Sequence, residues 1–393
     1  MYNFNNFTNF FKHLTDEIGV PSVDFVIHKS GEEIYRYSGG FALQPNCKYY
    51  NLYSVSKVLT CAAALQLLEK GKYLLNEPLY EYMPEFKEMY VKKEFQLSDE
   101  GRLTSEGQKR DNTKKTFEIV PSKKPILVKD LFTMSAGFDY DLGAEEIKKL
   151  VEETNGRFPT RMIAKALSQR PLSFEPGEHW QYSLCHDVLA AFVEVVSGKK
   201  FSDYLKDNIF DPLDMNDTTL KVTDGILKEM FPQFMYDSEK KKAEEISKDN
   251  SFRLGSEYES GGAGIISTVN DYIKFADDLA NGGKGKNKEH ILSQKTIDLM
   301  RTNHLNKKQL EDLDWSQLKG YGYGLGVRTM IDRAGGGALS PIGEFGWGGA
   351  AGAYTLIDPE KKIAVYYAQH MKNNQEPYVH PRIRNLVYYG LGQ

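Results

Sequence analysis

Strand-like patterning sits at the two ends of this chain, and that placement constrains the fold more than any other feature. Near the N-terminus, residues 23–28 and 33–41 read as two strands around the turn 29–32, which carries Ser30-Gly31. Beyond Tyr321 strand signals return, near 322–330, 341–347, 352–357 and 362–370. The middle is mainly helical in pattern, with helices near 159–169, 186–197, 201–208, 268–281 and 294–303. Strands made at opposite ends predict one antiparallel sheet assembled from both termini, with a helical region packed against it. Phe4, Phe7, Phe11, Leu14 and Ile18 fall at helical spacing. That helix and a last one over 380–389 would cover the sheet. The expected class is α+β, in a single unit spanning 1–393. Its α/β part would comprise about 1–52 and 258–393, and its mainly helical part about 53–257.

One stretch departs from this pattern. Of the 39 residues in 87–125, 17 are charged, and Gly101, Gly107, Pro121 and Pro125 punctuate the run. It reads as a solvated excursion on the surface, with a lid over a site as the second reading. Elsewhere charge is balanced: 50 basic against 54 acidic residues give a net charge of −4. Nucleic acid is therefore not an expected partner. Cys47, Cys61 and Cys185 are too scattered for a disulfide framework or a zinc site, and no His-x-x-x-His pair supports a helix-borne metal. No metal or organic cofactor is expected. No run approaches the roughly 18 apolar residues of a membrane span. The opening MYNFNNFTNFFKHLTDE lacks a basic start, an apolar run and a cleavage site, so the expected location is cytoplasmic.

Chemistry enters at Tyr53-Ser54-Val55-Ser56-Lys57, a Ser-x-x-Lys tetrad opening a helix over 54–69. Spacing of i to i+3 sets the Ser54 hydroxyl and the Lys57 amine on one helical face. Backbone N–H groups at a helix start favour a developing oxyanion. The same field, with burial, is expected to lower the Lys57 pKa and make it a proton acceptor. The bare pattern recurs at Ser197, Ser238 and Ser316. Only Ser54 is followed by an apolar helix (Val58, Leu59, Cys61–Leu65, Leu67, Leu68) that would bury its lysine. The competing reading is Ser54 as a simple helix cap with Lys57 in water.

A second element lies in FEPGEHWQYSLCHDVLAAFVEVVSG, residues 174–198. Tyr182 would stand at a helix entrance, able to present its hydroxyl to the serine–lysine pair as base or proton shuttle, or else simply to pack. With these segments stand LFTMSAGFDYD (131–141), SGGAGIISTVNDYIKF (260–275), GYGYGLGV (320–327) and FGWGGAAGAYTLIDP (345–359). In that order they resemble the serine β-lactamase and penicillin-binding-protein superfamily. The resemblance is closest to class C β-lactamases and the family VIII carboxylesterases, and leaves mainly 87–125 and about 221–257 unmatched.

The resemblance implies the fold sketched above, with the active site between sheet and helical region. It implies Ser54 as the acylated nucleophile, Lys57 as its activating partner and Tyr182 as the tyrosine that handles protons. The third motif, usually Lys-Thr-Gly, reads here Trp347-Gly348-Gly349, and the N–H groups of Ser54 and Ala350 would form the oxyanion hole. The usual Tyr-x-Asn reads Tyr182-Ser183-Leu184, which removes a partner for a substrate amide. Trp347 removes a cation suited to a substrate carboxylate. Leu184, Trp347, Gly348, Gly349 and Tyr140 are the expected substrate contacts, with Tyr323 a further aromatic of the acyl pocket.

These departures favour a carboxylesterase acting on short-chain or small neutral esters through an acyl-serine. The alternative is a β-lactamase or a D-Ala-D-Ala peptidase of the same fold, so the partner is a small ester or lactam. A non-catalytic binding protein is the reading from another class, yet none of Ser54, Lys57 and Tyr182 is lost. His179 and His186 flank Tyr182 and are weighed as pocket residues against ordinary packing. Cys185 reads as a small buried hydrophobe, and the glycines 322, 324 and 326 as a close-packed edge strand.

Overall fold

The computed structural model describes residues 2–95, 116–283 and 291–392. A seven-stranded sheet is ordered Glu32–Gly40, Ser22–Lys29, Ile363–Ala368, Tyr354–Asp358, Phe345–Gly346, Arg328–Met330 and Tyr321–Tyr323. Every pairing in it is antiparallel, and Asp24 stands opposite Ala368 where the two ends of the chain meet. The expected α+β sheet built from both termini is what forms.

Alternation explains why these segments become strands with two covered faces. Val23, Phe25 and Ile27, with Ile363, Val365 and Tyr367, pack with Phe7, Phe11, Val379, Ile383 and Val387 of the terminal helices Asn5–His13 and Glu376–Gly390. Val26, Ala364, Tyr366 and Ala368 face the other way, where Tyr272 of the helix Val269–Ala280 stacks on Tyr366 at 4.4 Å. Behind that layer lies Ser56–Glu69, whose residues 56–67 are all buried. A helix that is apolar all round belongs in a core, and this one packs on Cys185–Ser197.

Three details differ from expectation. The stretch near 322–330 is two strands, not one, turning at Gly326, where an added Cβ would meet Cys61 Sγ at 2.2 Å. Strands Gln233–Asp237 and Lys242–Ile246 lie inside the region expected to be helical and join Met371–Lys372 in a second sheet. The second of these is largely exposed, and KAEEI lacks the apolar alternation that marks a strand. The charged stretch 87–125 contributes a hairpin stem, Tyr90–Phe95 with Thr116–Pro121. Residues 96–115, and with them the lid reading, lie outside the described residues.

His370 ties the sheet to the site. Its Nε2 accepts the Asn51 N–H at 3.3 Å, and its Nδ1 lies 3.1 Å from the Phe231 carbonyl. Burial holds its pKa down at about 4, against 6.5 for an ordinary histidine. The unfolded chain therefore takes up a proton, as pH falls below 6.5, that the folded chain refuses. The contribution is complete above pH 6.5 and is lost as pH falls toward about 4. The stability gap between the wild type and His370→Asn is expected to narrow by about 2 kcal/mol from pH 7 to pH 5. Denaturant unfolding at the two pH values checks this, and a constant gap would contradict it.

Candidate active site

Residues Tyr53–Val55 make one tight turn that runs straight into the helix Ser56–Glu69. Tyr53 has φ 48°, the left-handed region, which costs a residue with a Cβ roughly 1–2 kcal/mol. Its hydroxyl donates to Gln233 Oε1 at 2.6 Å, and its ring meets the Phe252 ring edge-on at 6.0 Å. The second, unforeseen sheet thus supplies the anchor for a strained residue that aims Ser54.

Lys57 is wholly buried. Its Nζ donates to Ser54 Oγ at 3.3 Å, to the Tyr140 hydroxyl at 3.2 Å and to the Gly262 carbonyl at 2.7 Å. An ammonium has three N–H bonds, and each is used. The Tyr182 ring lies 4.7 Å from the same nitrogen. Burial pulls the Lys57 pKa down, but Tyr140, Tyr182 and Asp187 push it up further, and the net shift is upward. This corrects the expectation of a depressed lysine: burial does act in that direction, and the acceptors around Nζ outweigh it.

Asp187 was not singled out in the sequence. Its Oδ1 accepts from Tyr258 at 2.5 Å, from Ser260 at 2.6 Å and from the Gly262 N–H at 3.3 Å, while Oδ2 makes no hydrogen bond. A Cβ added at Gly262 would lie 2.5 Å from that Oδ2 and 3.3 Å from Lys57 Nζ. Asp187 therefore fixes the loop whose carbonyl holds the lysine. The available cue was an aspartate inside the apolar run CHDVLAAFVEVV.

Tyr182 sits at the entrance of the helix Cys185–Ser197, stacked between Tyr140 at 5.4 Å and Trp347 at 5.7 Å. The Trp347 indole Nε1 donates to the Tyr182 hydroxyl at 3.2 Å. Because an indole N–H can only donate, the Tyr182 oxygen is the acceptor there. Trp347 thus orients the tyrosine, a role its position in the third motif does not reveal. Tyr323 supports the Trp347 ring from behind, edge-on at 5.1 Å.

Ser54, Tyr182, Trp315, Trp347, Gly348, Gly349 and Ala350 line one cleft of about 200 Å³. The Gly349 N–H is taken by the Ala353 carbonyl at 2.8 Å, and a Cβ there would lie 2.6 Å from the Leu52 carbonyl. Only glycine lets this strand approach the turn before Ser54 so closely. Two expected wall residues stand elsewhere. Leu184 is buried in the core, because the helix entrance turns it inward, with its N–H on the Asp139 carbonyl. Tyr140 belongs to the Lys57 cluster. His179 pairs with Asp312 at 3.0 Å, and His186 packs against Cys61 at 3.6 Å. Cys185 is buried and accepts from Ser183 Oγ at 3.1 Å. All three are held by ordinary packing.

Among the described residues, no group of three or more His, Cys, Asp or Glu side chains could hold a metal ion, and no helix is long and apolar enough to cross a membrane. The arrangement can put a hydroxyl nucleophile beside a buried cation and a phenol, with backbone N–H groups across the cleft. That is the equipment of acyl transfer through serine.

Comparison with known proteins places the fold and the family. A family model described as Beta-lactamase matches residues 7–388. Protein Rv1367c of Mycobacterium tuberculosis is 26% identical over 329 residues, covering 82% of this chain and 77% of its own. Esterase EstB of Burkholderia gladioli is 24% identical over 372 residues, covering 86% and 83%. Among solved structures, EstCE1, described as a hydrolase with promiscuous acyltransferase activity, superposes with a TM-score of 0.74 at 22% identity, covering 97% of both chains.

Proposed function

The chain belongs to the beta-lactamase family, and from that premise we propose that it is a serine carboxylesterase acting on small esters through an acyl-Ser54 intermediate. One observation carries the reading: the buried Lys57 ammonium donates to Ser54 Oγ, in a cleft that Ser54 shares with Tyr182 and Ala350. Ser54 Oγ attacks the ester carbonyl while Tyr182, acting as a phenolate beside the Lys57 ammonium, takes its proton. The new oxyanion accepts from the Ser54 and Ala350 N–H groups. The carbon–oxygen bond to the alcohol then breaks, and Tyr182 returns the proton to the departing oxygen. Water attacks the acyl-serine, the acid leaves, and Ser54 recovers its proton.

In this scheme Lys57 acts as a charge and not as the base. All three of its N–H bonds are donated and its pKa is raised, both of which favour the ammonium. Tyr182, held by Trp347, is left as the proton carrier. A cleft of about 200 Å³ is smaller than the roughly 300–1,000 Å³ of drug-sized pockets, which favours short chains. The relatives named above as esterase or hydrolase agree with this direction.

The test is turnover of p-nitrophenyl acetate and butyrate beside nitrocefin. Esters are expected to exceed the lactam in kcat/KM by about 100-fold, because Trp347, which lines the cleft, stands in place of a cation suited to a lactam's carboxylate. Nitrocefin turnover equal to or above that of the esters would instead identify a β-lactamase or peptidase.

A further inference from the structure

At the edge of the cleft the chain turns tightly over 349–352, and the turn is held at every inner carbonyl. The Gly349 carbonyl accepts the Gly352 N–H at 2.8 Å, and the Ala351 carbonyl accepts the Met371 N–H at 2.9 Å. Between them the Ala350 carbonyl accepts Asn374 Nδ2 at 3.0 Å. The Ala350 N–H meets no acceptor among the described residues, and Ala350 lines the cleft. A fixed turn with one N–H left over is suited to a developing oxyanion, because the donor is in place before the charge arrives.

Two of these three holds join backbone to backbone, and only the middle one uses a side chain. The Ala350 carbonyl can only accept, which fixes the end of the Asn374 carboxamide that faces it. The same Nδ2 also donates to Glu376 Oε1 at 3.2 Å, and Glu376 Oε2 accepts from Gln317 Nε2 at 3.0 Å. Asn374 is thus braced from the start of the helix Glu376–Gly390, and it does not itself line the cleft.

The segment that carries Met371 and Asn374 is strained. His370 has φ 51° and Asn373 φ 50°, both in the left-handed region, and such backbone persists where its surroundings fix it. Here the strand Gln233–Asp237 does the fixing. The Phe234 N–H donates to the His370 carbonyl at 3.0 Å, Met371 pairs with Phe234, and Asn373 Nδ2 donates to the Tyr236 carbonyl at 2.7 Å. That strand also holds Tyr53, through Gln233. It therefore steadies the turn before Ser54 on one side and, through Asn374, the turn at Ala350 on the other.

We propose that Asn374 is a positioning residue for the reaction: its carboxamide, braced by Glu376, holds the Ala350 carbonyl so that the Ala350 N–H stands ready for the oxyanion. This role rests on the reading of Ala350 as an oxyanion donor, whereas the hold on the turn can be measured without turnover.

The experiment compares the wild type with Asn374→Ala, which removes the donor, and Asn374→Asp, which keeps the size but offers no N–H. Asn374 is half-buried, and thermal unfolding checks that both variants fold. For p-nitrophenyl butyrate kcat is expected to fall about tenfold with KM nearly unchanged, less than the roughly 10²–10³-fold cost of deleting an oxyanion donor outright. In the acyl-enzyme of a slowly deacylating ester, the infrared band of the acyl carbonyl is expected to move to higher frequency, since a looser N–H polarises it less. By nuclear magnetic resonance on protein isotope-labelled at alanine nitrogen, the Ala350 amide is expected to gain mobility in both variants. A lower kcat with an unmoved carbonyl band would overturn the proposal, because an asparagine that merely supports the helix start would act that way. So would an unchanged kcat, or an Ala350 amide as rigid in the variants as in the wild type. A wild type that neither turns over nor acylates would refute the hydrolase reading alone. Mobility gained at Ala350 would then still support the hold on the turn, and its absence would overturn it.

Discussion

Ser54→Ala is expected to lower kcat for p-nitrophenyl butyrate by about 10⁴-fold or more, with KM changed little. The reason is the identity of the reacting atom. Ser54 Oγ is the group that receives the Lys57 hydrogen bond at the mouth of the cleft, and among the described residues no second serine lines that cleft. Losing one oxygen leaves the cleft, Tyr182 and the segment 347–350 intact, so binding survives while bond formation does not. Steady-state kinetics checks the rate. Intact-mass measurement with a slowly deacylating ester checks the chemistry, with an adduct on the wild type and none on the variant. Turnover retained within tenfold would move the nucleophile elsewhere.

Lys57→Met should cost about 10²–10³-fold in kcat, the scale on which a preorganised charge beside a reacting oxygen acts. Stability should respond differently. Methionine has nearly the same length, and replacing a buried charge by an apolar side chain removes a desolvation penalty. Against that, the Gly262 carbonyl loses its 2.7 Å partner, and an unmet buried acceptor costs about 1–3 kcal/mol. Activity should therefore collapse while the unfolding free energy moves by no more than about 3 kcal/mol. A variant that unfolds outright, or one that keeps its rate, would show that Lys57 serves the core and not the reaction. The closest control is Gly262→Ala, which crowds Asp187 Oδ2 and Lys57 Nζ while leaving both side chains in the sequence.

The residues proposed to make and break bonds could be picked out in the sequence because local spacing brings them together or a motif marks them. Ser54 and Lys57 are one helical turn apart, and Tyr182 opens a helix with a turn signal before it. The strands at the two ends were legible for a similar reason, since Val23, Phe25 and Ile27 alternate within one segment. What escaped depends on contacts between distant segments. Asp187 acts on Lys57 by its charge and by holding the loop at Gly262, and Gln233 steadies Tyr53 from a strand whose neighbour is exposed and charged. Leu184 failed in the opposite sense: its motif position suggested a wall residue, and the turn of the backbone sends it into the core.

The pairing of Ser22–Lys29 with Ile363–Ala368 also governs when this protein can become active. Contacts so far apart in sequence form slowly, because the entropy of the whole intervening loop opposes them until the rest is ordered. The serine is therefore synthesised early but completed late. Its helix can form while the ribosome is still at work, yet the segment 347–350 and the C-terminal helix that line the cleft do not then exist. A nascent or prematurely terminated chain would carry a reactive-looking serine and no way to use it, which keeps acylation out of reach until folding is finished.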